Sequence, residues 1–430
     1  MREMKDSGIT WFPQIPHSWK VGRIKNIISV LTDYTANGSF GDLARNVTYL
    51  DYEDYARLVR LTDLRENLSN QGVYVDKDGY EYLSKSSLFG GEILVANVGA
   101  YAGLFCEMPK VDYPATLAPN MFLIRTNDVM IQHYLLYVGV SSFVWEQLCQ
   151  KAISSAQPKL NKTDVKTVLI PIPPVEEQKS ISVYLDNKCS EIDALIADIQ
   201  KQIEVLEEYK RSVITEAVTK SLDKNAKMKD SRVEWIGNVP DHWKIVRGKY
   251  ILRCLNKPIH EDDGVITCFR DGEVTLRSNR REEGFTMADK EIGYQGIDVG
   301  DLVVHGMDGF AGAIGISDSR GKASPVLNVL GTSQNKQYIM YYLRSMAYND
   351  VFTAIATGIR VRSCDLRWNK LAELSYPVPP IDEQDLIVDY INKQLDRAND
   401  IIVLKKQQLE TLEEYKKSLI FEYVTGKKEI

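Results

Sequence analysis

Two stretches of this chain, residues 171–222 and 377–430, read as long helices that need a partner, and that need limits every other choice of fold. The first opens Pro171-Ile172-Pro173-Pro174-Val175-Glu176-Glu177-Gln178 and continues to Leu222 without another proline or any glycine. Proline costs little in a first helical turn, where its missing N–H would have no partner anyway. Glu176 and Glu177 suit the positive end of the helix dipole. Apolar residues then recur at Ile192, Ile196, Ile199, Ile203, Leu206, Val213 and Ala217, in steps of four and three with one gap at Lys210. That spacing is a coiled-coil seam. At 1.5 Å per residue the helix would be roughly 60 Å long, too long and too one-sided to bury its stripe in one compact domain. The chain carries a match. Pro377-Val378-Pro379-Pro380-Ile381-Asp382-Glu383-Gln384 repeats the opening, and Leu412-Glu413-Glu414-Tyr415-Lys416 repeats Leu206-Glu207-Glu208-Tyr209-Lys210 at the same offset. Pairing within the chain and pairing between chains would use the same pattern.

The repeat extends to the globular parts. Asp6–Val21 returns as Asp230–Ile245, both keeping W-(x)4-P-(x)2-W-K, here Trp11, Pro16, Trp19, Lys20 and Trp235, Pro240, Trp243, Lys244. Two tryptophans around a proline suggest an apolar clasp on the domain body; stacking on bases is the alternative. Each copy leads into mixed sequence with short elements. Gly91-Glu92-Ile93-Leu94-Val95 and Gly300-Asp301-Leu302-Val303-Val304 read as turns feeding buried strands, and helical spacing appears near Val129–Gln150 and Lys336–Ala356. The expected order is a mixed α/β domain over 1–170, a long helix over 171–222, a lysine-rich linker over 223–229, a second domain over 230–376, and a second long helix over 377–430. The class is α+β, with two domains in tandem, each followed by its helix. The second domain is the shorter.

At 430 residues the chain can bury more than one core, and its 44% hydrophobic and 26% charged content is that of an ordinary globular protein. No apolar run approaches a membrane span, and Met1–Asp6 lacks a signal-peptide core, so a cytoplasmic protein is expected. The six cysteines, Cys106, Cys149, Cys189, Cys254, Cys268 and Cys364, show no CxxC spacing and read as reduced packing thiols. The net charge of −6 hides a division. Residues 1–170 hold 17 basic and 18 acidic side chains and residues 230–376 hold 19 of each, against 9 and 11 in 171–229 and 8 and 11 in 377–430. The helical stretches carry most of the acidity, and each near-neutral globular part has room for a basic face.

Catalytic constellations are missing from the sequence. Gly315–Ala323 resembles a phosphate loop but has five residues between its glycines, and Ala323 stands where a hydroxyl must reach magnesium. The two Pro-Pro pairs sit at helix starts, not in the Pro-Pro-aromatic setting that holds a flipped base for amino methylation. His17, His133, His242, His260 and His305 are isolated, and no carboxylate pair stands out. A chain that performs no catalysis and binds no metal is expected.

Together, the duplicated W-(x)4-P-(x)2-W-K starts, the Gly-[Asp/Glu]-[Ile/Leu] strands, the P-x-P-P-[Val/Ile]-[Glu/Asp]-Glu-Gln helix entries and the Leu-Glu-Glu-Tyr-Lys helix ends make this chain resemble, along essentially its whole length, the specificity subunit of Type I restriction–modification enzymes. The resemblance implies two target recognition domains, each reading one half of a split, asymmetric site in double-stranded DNA. It implies antiparallel pairing of the helices with pseudo-two-fold symmetry, and docking of two modification subunits, with restriction subunits beyond them. S-adenosylmethionine, ATP and magnesium would then belong to those partners, with no cofactor on this chain. A rod of roughly 60 Å suits that geometry, since DNA turns repeat every ~34 Å.

Phosphate contacts supply affinity and base-edge contacts supply discrimination, with Arg suited to guanine and Asn or Gln to adenine. The loops before the helix entries offer Gln157, Lys159, Asn161 and Lys162 in the first domain and Arg360, Arg362 and Arg367 in the second, backed by Arg277, Arg280 and Arg281. The plainer reading makes these solvated loop residues. Glu207, Glu208, Tyr209, Glu413, Glu414 and Tyr415 are the candidates for contact with modification subunits; alternatively the tyrosines flank the seam and the charges face water. A coiled-coil adaptor carrying two unlike protein-binding domains, and a methyltransferase fused to its own recognition domain, are the competing readings.

Overall fold

The computed structural model describes residues 2–152, 158–280, 292–355 and 366–430. It divides into two units, residues 1–198 with 408–430, and residues 199–407. The division cuts through both long helices, Val175–Lys220 and Ile381–Val424, so each unit holds one part of each.

The first unit is built on an antiparallel sheet ordered Ile28–Asp33, Met121–Thr126, Ile93–Ala96, Phe105–Glu107. The second repeats it with Leu252–Leu255, Leu327–Thr332, Leu302–His305 and Ile314–Ile316. Ile93–Ala96 and Leu302–Val304 are fully buried, as the β-branched runs after glycine foretell. Gly300 feeds its strand at φ +80°, which only glycine adopts freely. The first unit adds a second sheet, Tyr74–Val75, Ala56–Val59, Ala115–Leu117 and Ser87–Leu88, with one parallel pair. The second unit has in its place two short antiparallel pairs, the hairpin Ile266–Cys268 with Val274–Leu276 and the long-range pair Gln295–Ile297 with Gly321–Ala323. The extra sheet accounts for the longer first domain. The last pair also settles the phosphate-loop resemblance, because Gly321–Ala323 is a strand with no helix after it.

The shared motifs converge where each long helix begins. Lys20–Arg23 pairs with Leu169–Ile172, and Lys244–Arg247 with Ser375–Val378, so the segment after the second tryptophan lies against the segment before the helix. Trp19 is fully buried and its Nε1 donates to Glu177 Oε2 at 2.8 Å; Trp243 does the same to Glu383 Oε1 at 3.0 Å. The following glutamine is also buried. Gln178 Oε1 accepts from Ile131 N, and its Nε2 donates to the carbonyls of Val129 and Pro173. Gln384 accepts from Asn335 N and donates to Pro379 O and Gln334 Oε1. The Glu-Gln pair is therefore a latch that fixes the helix start to its own globular body.

Within each unit the helices run antiparallel. In the first, Asp193 meets Lys416 at 2.6 Å and Tyr184 packs on Tyr423, while Ile181, Leu185 and Ile192 share a core with Leu419, Ile420 and Val424. In the second, Lys405 reaches Gln202, Tyr209 donates to Gln394 at 3.3 Å, and Ile214, Ala217 and Val218 share a core with Ile387, Val388 and Ile391. Falling numbers on one helix meet rising numbers on the other.

Four expectations need correcting. The two tryptophans of each clasp are buried unequally: Trp19 and Trp243 are fully buried, while Trp11 is half-buried against the same core as Trp19 and Trp235 is 37% exposed. The expected helix over 129–150 is two, Gln132–Gly139 and Ser142–Ala152, the first ending at Gly139 so close to Phe105 that a Cβ would lie 2.2 Å from the ring. The expected helix over 336–356 divides at Asp350, which turns to φ +54° between Lys336–Tyr348 and Val351–Ala354. Cys254 is exposed and so is no packing thiol, although Cys189 and Cys268 are buried.

Candidate nucleic-acid interface

In the first unit four separate segments surround a groove of about 790 Å³, lined among others by Tyr34, Phe40, Asn97, Asn120, Lys159 and Lys162. Its floor is a backbone lattice. Asn97 N donates to Asn120 O at 3.1 Å, Leu160 N donates to Asn97 O at 2.8 Å, and Gly99 N donates to Pro158 O at 2.9 Å. Val98 and Lys159 form a bridge between the same segments. Asn120 holds the turn into Met121–Thr126 at φ +69°, a conformation asparagine tolerates better than most residues. Phe40, 74% exposed, opens the short helix Phe40–Asn46 at the groove's rim.

The structure sorts the sequence candidates by how they are held. Asn161 caps the helix Lys162–Lys166, its Oδ1 accepting from Thr163 N at 2.8 Å and Asp164 N at 3.0 Å, so its acceptor is committed locally. Lys162 reaches Asp33 at 3.0 Å. Lys159 is exposed, with no ion pair among the described residues. Gln157 lies outside the described residues.

The second unit repeats the joint. Gly306 N donates to Val326 O at 2.7 Å, Leu366 N donates to Gly306 O at 2.8 Å, and Arg367 precedes the helix Trp368–Glu373 as Asn161 precedes its own. Arg270 on the neighbouring hairpin meets Asp308 at 2.9 Å, tying that hairpin to the loop after Leu302–His305. Burial pulls the His305 imidazole pKa below its usual value, favouring the neutral ring whose Nδ1 accepts from Met307 N and Asp308 N. Arg280 is paired with Asp271 and Glu273 at 2.8 and 2.9 Å and lies 4.2 Å over Phe269. Arg277 Nε donates to Thr267 Oγ1 at 3.3 Å. Both arginines therefore sit on the hairpin. Arg281, Arg360 and Arg362 lie outside the described residues. Among the described residues, no cluster of three or more metal-ligating side chains occurs, and no helix is long and apolar enough to cross a membrane.

On the helices Glu207 pairs with Lys210 at 2.9 Å, and Glu208, Glu413 and Glu414 face outward. Tyr209 is 44% and Tyr415 52% exposed. Tyr209 and Tyr390 line a second groove of about 580 Å³ along the end of the first long helix. Asn97, Asn120 and Phe40 escape a reading by sequence because they belong to segments far apart along the chain. The one local sign is the Pro119-Asn120 turn dipeptide.

Comparison with known proteins gives one consistent family. Residues 16–205 match the model of the Type I restriction modification DNA specificity domain. A Methanocaldococcus jannaschii chain designated specificity subunit of the type I restriction enzyme MjaX is 25% identical, over 96% of this chain and 94% of its own length. The MjaVIII specificity subunit of the same organism is 24% identical over the same shares. A chain solved in work on complex assembly and conformational transition of the type I R-M system shares the fold, with a TM-score of 0.67 at 15% identity, covering 96% of this chain and 99% of that one.

Proposed function

The chain belongs to the DNA specificity subunits of Type I restriction–modification systems, and we propose from that premise that each of its units reads one half of a split, asymmetric site in double-stranded DNA. The observation that carries this reading is the duplication itself. One sheet, one latch and one loop-to-helix joint occur twice, and the joint carries different side chains each time. A duplicated scaffold with unlike reading surfaces is what an asymmetric two-part target requires.

In this reading Gln157, Lys159, Asn161 and Lys162 meet the first half-site, and Arg277, Arg280, Arg281, Arg360, Arg362 and Arg367 meet the second. Lys162 and Arg280 exchange their carboxylate partners for phosphate, a trade that makes affinity fall with salt. The outward faces around Glu207, Glu208, Tyr209, Glu413, Glu414 and Tyr415 dock two modification subunits, to which restriction subunits attach. The chain performs no catalysis; S-adenosylmethionine, ATP and magnesium act on the partners.

The test is co-expression with the modification subunit encoded beside it, in a host free of DNA methylation, followed by genome-wide mapping of N6-methyladenine. A single motif with two unlike halves at a fixed gap is expected. A soluble complex with the modification subunit that methylates nothing would favour the adaptor reading instead.

A further inference from the structure

The joint described above places three backbone positions in one hydrogen-bonded set in each unit, and the register makes the two sets equivalent. Asn97 and Gly306 each follow the central buried strand, Ile93–Ala96 and Leu302–His305. Asn120 and Val326 each precede the neighbouring strand, Met121–Thr126 and Leu327–Thr332. Leu160 and Leu366 are both buried, and each is followed by the residue that starts a short helix, Asn161 or Arg367. The bonds are the same in both: the first position donates its N–H to the second and accepts from the third. The backbone is conserved between the units and the side chains are not. Two amides stand at the first and second positions of one set; a glycine and a valine stand there in the other.

We propose that this three-segment set is the base-discriminating station of each unit, with Asn97 and Asn120 reading an adenine in the first half-site and Arg367 reading a guanine in the second. The inference rests on the DNA-specificity reading given above, adds Asn97 and Asn120, which that reading leaves out, and gives Arg367 a particular base. A side-chain amide presents an acceptor beside a donor, which matches the N6 amino group and N7 of adenine; a guanidinium matches O6 and N7 of guanine. Asn120 is exposed, takes a left-handed turn and lines the groove. Asn97 Oδ1 is shielded from solvent and has no hydrogen-bond donor, a state that leaves a buried acceptor unsatisfied. The last torsion of asparagine is broad, so the Asn97 amide turns toward the groove within its ordinary range and finds a donor in an exocyclic amine. At the equivalent place in the second unit a Cβ on Gly306 would lie 2.9 Å from Val326 O and 3.7 Å from the Arg367 side chain, so the missing side chain leaves that space to the arginine. Both sets are pinned by main-chain bonds to the sheet, and a rigid scaffold is what reading at ångström precision needs.

The experiment uses the full chain with its modification subunit and maps N6-methyladenine for the unaltered protein and for Asn120→Gly, Asn97→Gly and Arg367→Lys. Glycine keeps the left-handed turn at 120 and, at 97, is the residue the second unit already carries, so neither change strains the backbone. Asn120→Gly or Asn97→Gly is expected to relax at least one position of one half-site by at least about tenfold, leaving the other half and the gap unchanged. Arg367→Lys is expected to relax the opposite half. Retention of both halves at full stringency, or equal loss in both halves, overturns the inference while leaving the functional reading intact. Absence of any split motif for the unaltered chain overturns that reading, and the inference with it.

Discussion

Gln178 and Gln384 show how much one side chain can settle. Each is fully buried, and each satisfies backbone groups from two different segments at the start of a long helix. Gln178→Leu keeps the volume but strands Ile131 N–H and the Val129 carbonyl, and an orphaned buried polar group costs about 1–3 kcal/mol. Denaturant unfolding of the variant should show a loss of that order. At Asp263 the Arg320 guanidinium, hydrogen-bonded at 2.8 and 3.0 Å, is the main reason the carboxyl titrates at about 2 instead of its ordinary 3.8. A depressed carboxylate pKa adds stability above the unfolded value and loses it as protons bind. The second unit should therefore weaken as pH falls from about 4 through 2, and Asp263→Asn should flatten that part of an acid-unfolding curve. Thiols divide in the same way by position. Burial holds Cys268 up at about 12, so native-state alkylation should label exposed Cys254 and spare Cys268 until the chain unfolds.

At the scale of elements, the parts legible in the sequence are those whose cause is local. The proline pair, the acidic first turn and the apolar steps from Ile192 to Ala217 are all carried within one segment, and a helix forms over Val175–Lys220. Glycine followed by a β-branched run marks Ile93–Ala96 and Leu302–His305 for the same reason. The breaks at Gly139 and Asp350 were not legible, because one depends on Phe105 approaching from another strand and the other on an aspartate accepting a left-handed turn. The candidate site was half legible. The segment before each helix entry announces itself by position, but Asn97 and Asn120 reach it only through sheet register. The capping role of the Asn161 Oδ1 was legible too, since an asparagine three residues before Asp164 is a helix-start signal.

At the scale of the whole molecule, the long helices leave large apolar side chains in water, among them Leu195, Val205, Leu386 and Leu404. In the proposed function these side chains lie on the helices that dock the modification subunits. Reversing charge there, with Glu207→Lys and Glu413→Lys, should weaken co-purification of the modification subunits and leave the methylated motif unchanged. The same division of the helices has a temporal side. The first unit is closed by residues 408–430, yet its other part ends at Asp198, so everything from 199 to 407 leaves the ribosome before the closing segment does. At roughly 5–20 residues per second, the nascent chain waits tens of seconds with the apolar faces of Ile181, Leu185 and Ile192 uncovered. A chain truncated after Gln407 should hold that exposure permanently, binding a dye for apolar surface and aggregating, because the half that is made first is finished last.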